Sequence, residues 1–463
     1  MKGLKYGVFA LVAVLLAVAA SGCGSSSKKS SSGTTTSGSS GSSNSVVGSV
    51  TALPASSCAK LQSKGTPQML LVSDLPMQGS SRTQTVQMVQ AIQYVLDQRG
   101  WKAGQYSIGF QVCDDATAQA GKWDSGKCNQ NAQAYAGNKS VIGVIGTFNS
   151  GCAAIEIPVL NQAPGGAIAM TSPANTFPCL TVGSGCDASE PDKYYPTGKR
   201  NYTRVVPYDA FQAAIQVQFM KEQGIKKLYV LNDKEAYGLA VATLTKNAAK
   251  SNGITIAGFS AWAKESASYE ATMRKIKATG ADAVFLGGLI DENGAQVIKD
   301  KVSVLGPNDG AVKLFAPDGF TTQATIDESG PSSKGMYMSV AGTAVKNLVG
   351  KGKQFVTGFT KQLGGKPVDP YATYAAQAAE VMLDAIAKSD GSRQSVIDNL
   401  FKTKVRNGIL GSFDINKNGD VSGGKGAVVK YVMYVAGAKL DPVKELEPDQ
   451  AIADAALGAG TGG

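Results

Sequence analysis

The chain has 463 residues, with 45 lysines and arginines against 35 aspartates and glutamates, and a formal net charge of +10. It contains no histidine, which removes the usual metal ligand and the usual general base, so we expect neither a metal site nor a cofactor. The basic residues are dispersed over predicted helix faces and strand edges, and this pattern argues against nucleic-acid binding.

The beginning of the chain has the features of an export signal. A positively charged start precedes an apolar run at 8–20, which is shorter than the roughly 20 residues that a helix needs to span a bilayer. The run ends in Ala20-Ser21-Gly22-Cys23, which resembles the lipobox of bacterial lipoproteins. We therefore predict a signal peptide at 1–22 and an extracytoplasmic protein anchored to the membrane through lipidated Cys23. The alternative is an ordinary cleaved signal with a chance cysteine.

A polar, low-complexity stretch follows Cys23. Residues 24–49 are almost wholly Ser, Gly and Thr, and the charged residues among them are Lys28 and Lys29. This composition has too little apolar surface to offset the entropy of ordering, and as a flexible coil it spans about 25–30 Å. We expect a tether over 23–65 that holds a globular body clear of the membrane.

Six further cysteines fit an oxidising exterior and permit complete pairing. The sequence cannot choose among the roughly 15 connectivities open to six cysteines. Because short loops close most readily, we favour the pairs Cys113–Cys128 and Cys179–Cys186, and Cys58–Cys152 is then the remainder.

Along the body, short runs rich in Val, Ile and Leu alternate with amphipathic stretches. We predict buried parallel strands at 69–73, 106–112, 141–145, 168–171, 227–232, 255–260, 283–287 and 313–316. We predict helices at 83–97, 125–136, 238–251, 269–279, 293–305, 353–363 and 372–388. Two successive βαβ series predict an α/β fold of two doubly wound parallel-sheet lobes, with ligands at the carboxyl ends of the strands.

The order of these elements suggests a chain that enters each lobe twice and so has a three-crossover hinge. The first hinge segment is expected at 201–207, and a hairpin of 410–414 with 428–435 is expected near the end. Residues 414–420 open like an EF-hand loop, but Lys425 cannot supply the bidentate carboxylate at position twelve, so we expect an Asn-Gly turn there. The predicted domains are lobe 1 at 66–208 and 340–408, lobe 2 at 209–339 and 409–445, and a C-terminal tail at 446–463.

Five short motifs, in order along the chain, carry a family resemblance that covers nearly all of 68–434. They are Asp74-Leu75-Pro76-Met77-Gln78-Gly79, Gly146-Thr147-Phe148-Asn149-Ser150, Ser172-Pro173-Ala174-Asn175-Thr176, Asn232-Asp233-Lys234-Glu235-Ala236-Tyr237-Gly238 and Ala316-Pro317-Asp318-Gly319. Together they resemble type I periplasmic binding proteins, specifically the leucine/isoleucine/valine-type solute receptors of ABC importers. This resemblance implies a receptor that captures an amino acid or a related small polar solute and presents it to a membrane permease.

The same resemblance assigns candidate ligand contacts. Ser150 and Thr176 would hydrogen-bond the α-carboxylate of an amino acid, and the loop at Asn175 would supply further polar groups. Asp318 would pair with the ammonium, and closure would lay Tyr237 over the ligand. Without the resemblance, each of these five positions is an ordinary helix cap, turn residue or packing tyrosine.

Asp209 resembles a family residue near the ligand, but its place at the apparent start of a helix explains it without one. The side-chain pocket departs from leucine-type members, because Leu289 and Ile290 follow Gly287-Gly288 where aromatic residues are expected. An amide, a polar amino acid or a small carboxylate is therefore also compatible. We expect a monomeric, non-enzymatic receptor. The rivals are a secreted α/β hydrolase, in which an aspartate or a lysine would have to serve as the base, and a sensor ectodomain of the same fold.

Overall fold

The computed structural model describes residues 45–458. The predicted signal peptide, Cys23 and most of the Ser/Gly-rich stretch lie outside these residues. Within 45–458, no helix combines the length and the apolar character needed to cross a membrane.

The first lobe is built around a seven-stranded sheet in the order β1-β4-β2-β7-β8-β9, with β3 paired to β4. Its elements are β1 Gln62–Ser63, β2 Met69–Leu75, α1 Arg82–Gln98, β3 Lys102–Ala103, β4 Tyr106–Asp114, β5 Ala116–Thr117, β6 Lys122–Trp123, α2 Ser125–Gly137, β7 Val141–Gly146, α3 Ser150–Asn161, β8 Ala169–Ser172 and β9 Tyr202–Arg204. Strand β2 is buried on both faces. Met69 and Leu71 face one hydrophobic cluster and Leu70 and Val72 the other, as expected for a parallel strand between two helical layers.

The second lobe follows the same plan with a sheet in the order β11-β10-β12-β13-β14-β18-β19. Its first pass comprises α4 Asp209–Glu222, β10 Lys227–Asn232, α5 Ala236–Ser251, β11 Thr255–Ala261, α6 Glu270–Thr279, β12 Ala283–Gly287, α7 Gly294–Leu305, β13 Lys313–Ala316, α8 Gln323–Ser329 and β14 Tyr337–Ala341. The chain then returns to lobe 1 as α9 Gly350–Gln362, α10 Pro370–Ala387 and α11 Arg393–Leu400. A three-stranded sheet of β15 Lys404–Gly408, β16 Gly411–Ile415 and β17 Val421–Lys425 precedes the second pass through lobe 2, β18 Tyr431–Ala436, β19 Leu440–Leu446 and α12 Gln450–Ala456.

Three connections therefore join the lobes, after β9, after β14 and after α11, and the predicted three-crossover fold is confirmed. A buried ion pair links the end of β9 to the third connection, and in it Arg204 Nε lies 2.7 Å from Asp420 Oδ1. The predicted hinge at 201–207 begins too early, because β9 is still a strand of the lobe 1 sheet.

All eight predicted parallel strands are present, and β10, β12 and β13 have the predicted bounds. The predicted hairpin of 410–414 with 428–435 is wrong. Strand β16 pairs with β15 and β17, whereas β18 pairs with β14 and β19. The reason is the polar turn after β16, where Gly419 adopts a φ of +94° and turns the chain directly into β17.

The disulfides are Cys58–Cys113, Cys128–Cys152 and Cys179–Cys186, so the last pair is confirmed and the predictions Cys113–Cys128 and Cys58–Cys152 are wrong. Cys58 lies directly opposite Cys113 because the segment before β1 runs antiparallel along β4. Cys128 and Cys152 meet because α2 and α3 pack side by side. Packing of these elements outweighs loop length, whose entropic cost varies only slowly.

Both ends of the described chain are more ordered than predicted. The predicted tether reached residue 65, but Leu53 is buried and its N–H bonds Gln111 Oε1 at 2.6 Å. The body of lobe 1 therefore begins before residue 65. In the predicted tail, α12 buries Ala453 and Ala456 against α4 and α5, and so belongs to lobe 2.

Candidate functional site

A narrow cavity lies between the lobes, where the loops after β7, β8, β10 and β13 converge. This is the position expected for ligands in open α/β sheets, outside the carboxyl ends of the strands. The lining residues from lobe 1 are Trp123, Phe148, Asn149, Ser150, Gly151, Ala174, Thr176 and Tyr371. Those from lobe 2 are Glu235, Tyr237, Leu289, Asp318 and Gly319.

The lobe 1 wall is formed mainly by the beginning of α3. Ser150 is the first residue of this helix, and its hydroxyl accepts a hydrogen bond of 3.3 Å from the N–H of Phe177. The first N–H groups of a helix have no intrahelical partners, and Asn149 at the N-cap does not cap them with its side chain. The cavity therefore meets a helix terminus with free donors and a partial positive charge, which favours an anion.

Asn175 and Thr176, the two residues predicted in the loop after β8, have different surroundings. The Asn175 amide donates to the carbonyls of Thr147 and Phe148 at 3.0 Å each and accepts from the Tyr202 hydroxyl at 3.2 Å. These bonds use its side chain to hold the loops together, and Asn175 does not line the cavity. Thr176 does line it, and its hydroxyl forms no hydrogen bond of ordinary geometry with any residue in 45–458.

The lobe 2 wall brings Asp318 and Tyr237 together. Asp318 follows β13 and is 6% exposed, and its Oδ1 accepts a 2.6 Å hydrogen bond from the Tyr237 hydroxyl. The N–H of Gly319 donates to the same hydroxyl at 3.1 Å. Tyr237 reaches this position because Gly238 lets α5 begin against the preceding turn; a Cβ at 238 would lie 2.1 Å from Asp233 Oδ1.

Tyr371 was not predicted as a site residue. It lies in the first turn of α10 on lobe 1, and its hydroxyl donates a 2.5 Å hydrogen bond across the cleft to Asp318 Oδ2. The sequence indicated a helix starting nearby but not that this tyrosine faces Asp318. Trp123, Phe148, Asn149 and Glu235 were also missed as lining residues, although the motifs contained the last three of them. Leu289, which was expected at the side-chain pocket, does line the cavity.

Burial dominates the electrostatics of the acids. It raises the pKa of Asp318, an effect opposed by the hydrogen bonds from Tyr237 and Tyr371. Asp209 is fully buried behind the cavity, where burial and then the charge of Asp318 raise its pKa well above the usual range. The Thr176 hydroxyl is close enough to oppose that rise, although it forms no ordinary hydrogen bond with Asp209.

The residues lining the cavity include two acids and, within 45–458, no lysine or arginine. Of the two acids, Glu235 is already paired with Lys264. Asp318 has hydroxyl partners and no cationic partner among the described residues. A ligand group that carries positive charge would therefore be stabilised at Asp318.

Contacts at the rim join the lobes. Lys122 on β6 of lobe 1 forms an ion pair with the fully buried Glu292 of lobe 2. The N–H of Ser81, on lobe 1, donates to Asp291 Oδ1 at 3.0 Å, and Gln84 Nε2 donates to the carbonyl of Thr321 at 3.3 Å. The lobes are thus closed against each other around the cavity.

A bilobal α/β body with three connections and a cavity between its lobes defines a hinged solute-binding protein. The sequence profile described as "Periplasmic binding protein" matches residues 75–433. The chain therefore belongs to the periplasmic binding protein family, and its fold is that of the type I members. This family binds small-molecule solutes outside the cytoplasm and works with ABC permeases.

Relatives agree with this assignment. The Leu/Ile/Val-binding protein homolog 3 of Brucella melitensis is 23% identical over 71% of this chain and 81% of its own length. The fold is similar to a leucine binding protein of Thermotoga maritima, with TM-score 0.69, 20% identity and coverage of 82% of this chain and 99% of that one. It is also similar to a solute binding protein of Rhodopseudomonas palustris in complex with p-hydroxybenzoic acid, with TM-score 0.67, 15% identity and coverage of 82% and 97%. These relatives are solute-binding proteins, which argues against the hydrolase alternative.

Proposed function

We propose that this chain is the lipid-anchored, extracytoplasmic receptor of an ABC importer, and that it captures an amino acid or a related small polar solute by hinge closure. Membership of the family supports the role as a receptor, and the residues that line the cavity support an amino acid as the solute. The observation that carries the choice of an amino acid is the opposite polarity of the two walls, with hydroxyls and a helix N-terminus on lobe 1 and Asp318 on lobe 2.

A zwitterion matches this arrangement at both ends. Its carboxylate would accept from the first N–H groups of α3 and from the hydroxyls of Ser150 and Thr176. Its ammonium would donate to Asp318, whose two oxygens retain lone pairs beyond those used by Tyr237 and Tyr371. A plain aromatic acid would instead add negative charge near Asp318 without bringing a cation. Asn175 would not contact the solute but would hold the loops that carry the binding groups. Asp209 would act through its backbone N–H, which donates to the carbonyl of Thr176.

Closure follows from the same contacts. A ligand held between Ser150 and Asp318 touches both lobes only when they are together, and that difference in affinity shifts the hinge equilibrium toward the closed state. The closed form then offers the permease a surface that the open form lacks.

Membrane anchoring through Cys23 is part of the proposal. It rests on the signal and lipobox at 1–23 and on the polar stretch that follows. In cells that express Cys23→Ala, the protein should leave the membrane fraction and bind solute with unchanged affinity. A variant that still sediments with membranes would contradict lipid anchoring. Sedimentation of the purified mature body should give the mass of a monomer.

A screen of the twenty L-amino acids, small amides and aromatic carboxylates by thermal shift tests the choice of solute. A ligand at 100 times its Kd stabilises the folded state by about 2.7 kcal/mol, which is readily detected. We expect at least one L-amino acid to raise the Tm and p-hydroxybenzoate to have no effect. Stabilisation by aromatic carboxylates alone would refute the amino-acid assignment and leave the receptor class intact.

A further inference from the structure

Two residues that line the cavity carry buried polar groups with no hydrogen-bond partner among residues 45–458. Asn149 is 5% exposed, and neither its amide nitrogen nor its amide oxygen forms a hydrogen bond with any residue in 45–458. The indole N–H of Trp123 is likewise buried and unpaired within the described chain. Both side chains line the same cavity as Ser150 and Asp318.

The other two tryptophans provide an internal comparison. The indole N–H of Trp262 donates to the carbonyl of Glu292 and that of Trp101 donates to Asp97, each at 2.7 Å. A buried indole N–H normally finds such a partner, and a buried donor without one is destabilising. Trp123 is therefore the exception among the three tryptophans, and it is the one that lines the cavity.

Asn149 is exceptional in a similar way. It occupies the N-cap of α3, where an asparagine side chain usually accepts from the backbone of the first turn. Here it makes no such bond, and its amide keeps one acceptor and two donors unpaired within 45–458 in a residue that lines the cavity. The proposed contacts to the α-carboxylate and α-ammonium account for Ser150, Thr176 and Asp318, and they leave Asn149 and Trp123 unexplained.

We propose that Asn149 and Trp123 recognise a carboxamide on the side chain of the solute, as in asparagine or glutamine. This inference rests on the proposed amino-acid function. A carboxamide oxygen can accept from the Trp123 indole, and the amide of Asn149 can pair with both ends of a second amide. An aliphatic side chain would leave these groups unpaired in a closed site, and sites built for hydrogen bonding reject such analogues strongly.

The charge of the site selects among polar side chains. An added carboxylate would lie in a cavity that already contains Asp318 and Glu235. An ammonium cannot pair with the indole, which is a donor only. A carboxamide is neutral, so it adds no negative charge to the cavity, and its oxygen can accept a hydrogen bond from the indole.

Two isosteric pairs test the proposal on the unmodified protein. Calorimetry would compare L-asparagine with L-leucine and L-glutamine with L-methionine, which differ mainly in the polarity of the side chain. We expect the amide of at least one pair to bind at least about tenfold more tightly than its apolar counterpart. Leucine and methionine binding as tightly as the amides would overturn the inference and leave the amino-acid function standing. Failure of every L-amino acid to bind would overturn both.

Variants then assign the preference to residues. Trp123→Phe and Asn149→Leu should each weaken binding of the favoured amide by about tenfold and change binding of its apolar counterpart by less than about threefold. Trp101→Phe is the matched control, since its indole is already paired with Asp97, and it should leave all affinities unchanged. Equal losses for the amide and its apolar counterpart would overturn the assignment, because they would indicate contacts to the backbone of the amino acid.

Discussion

The two walls of the cleft differ in chemistry although the two lobes share a topology. Lobe 1 presents a helix N-terminus and neutral hydroxyl and amide groups, whereas lobe 2 presents the buried acid Asp318 with Tyr237. An amino acid can satisfy both walls in one orientation only, because its two charges are opposite. The shared topology therefore forms the cleft, while the loops at the strand ends determine the orientation in which a solute is bound.

The largest effect should come from removing the charge on the lobe 2 wall. Asp318→Asn keeps the shape of the side chain but removes the charge partner of a buried ammonium, so we expect a loss of about 2–5 kcal/mol in binding free energy. Calorimetry with the tightest amino acid of the screen measures it. Asp327→Asn, an exposed position on the same lobe, is the control and should bind as the wild type does. Wild-type affinity in Asp318→Asn would show that no ammonium lies there.

A substitution in the lobe 1 wall should weaken binding less, because several donors would share the carboxylate of the solute. Ser150→Ala removes one hydrogen bond to a charged group and should cost about 1.5–3 kcal/mol in binding. Ser150 also accepts from Phe177, so the Tm of the unliganded variant has to be measured beside its affinity. A full loss of affinity with an unchanged Tm would mean that the α3 N–H groups contribute little.

The walls should also differ in their response to pH. Burial raises the pKa of Asp318 in the free protein, and a bound ammonium would favour its ionised form and lower that pKa in the complex. A group with a lower pKa in the complex strengthens binding above its free pKa, so affinity should fall as the pH falls through that value. The expected slope is about 1.4 kcal/mol per pH unit. Titrations at several pH values measure it, and Asp318→Asn should flatten the profile, whereas Ser150→Ala should not.

The smallest effect should come from the rim. Lys122 is partly exposed, and Lys264 also lies near Glu292 and would still pair with it in the variant. We therefore expect Lys122→Met to cost only about 1 kcal/mol in binding free energy. Because this ion pair joins the lobes in the closed state, the change should appear mainly as faster dissociation. Stopped-flow measurements separate the two rate constants. The control is Arg274→Gln, which removes an exposed pair within α6 and should alter neither rate. Slower association with unchanged dissociation would contradict a role in holding the lobes closed.

Much of the fold could be predicted because buried parallel strands are continuous apolar runs separated by amphipathic helices. Strands β10, β12 and β13 illustrate this, since their bounds follow directly from such runs. The disulfides could not be predicted in the same way. The meeting of Cys128 and Cys152 depends on how α2 packs against α3, and a single sequence carries no local signal for that packing.

The site was partly predictable for a related reason. Ser150, Thr176, Tyr237 and Asp318 lie in short motifs directly after strands, where position in the chain implies position in the cleft. Tyr371 lies 53 residues after its partner Asp318 and on the other lobe, so only the return of the chain through the hinge brings the two together. Trp123 reaches the cavity from the short ribbon of β5 and β6, whose two-residue strands leave little pattern to recognise.

In the proposed complex, the solute lies across the cleft with its carboxylate on lobe 1 and its ammonium on lobe 2. Calorimetry of the tightest amino acid and its des-amino analogue, each with wild type and Asp318→Asn, tests this claim in one thermodynamic cycle. We predict that the substitution costs about 2–5 kcal/mol for the amino acid and almost nothing for the analogue, which has no ammonium to lose. An equal cost for both compounds would contradict this orientation, since Asp318 would then act on the structure of the site and not on the charge of the solute.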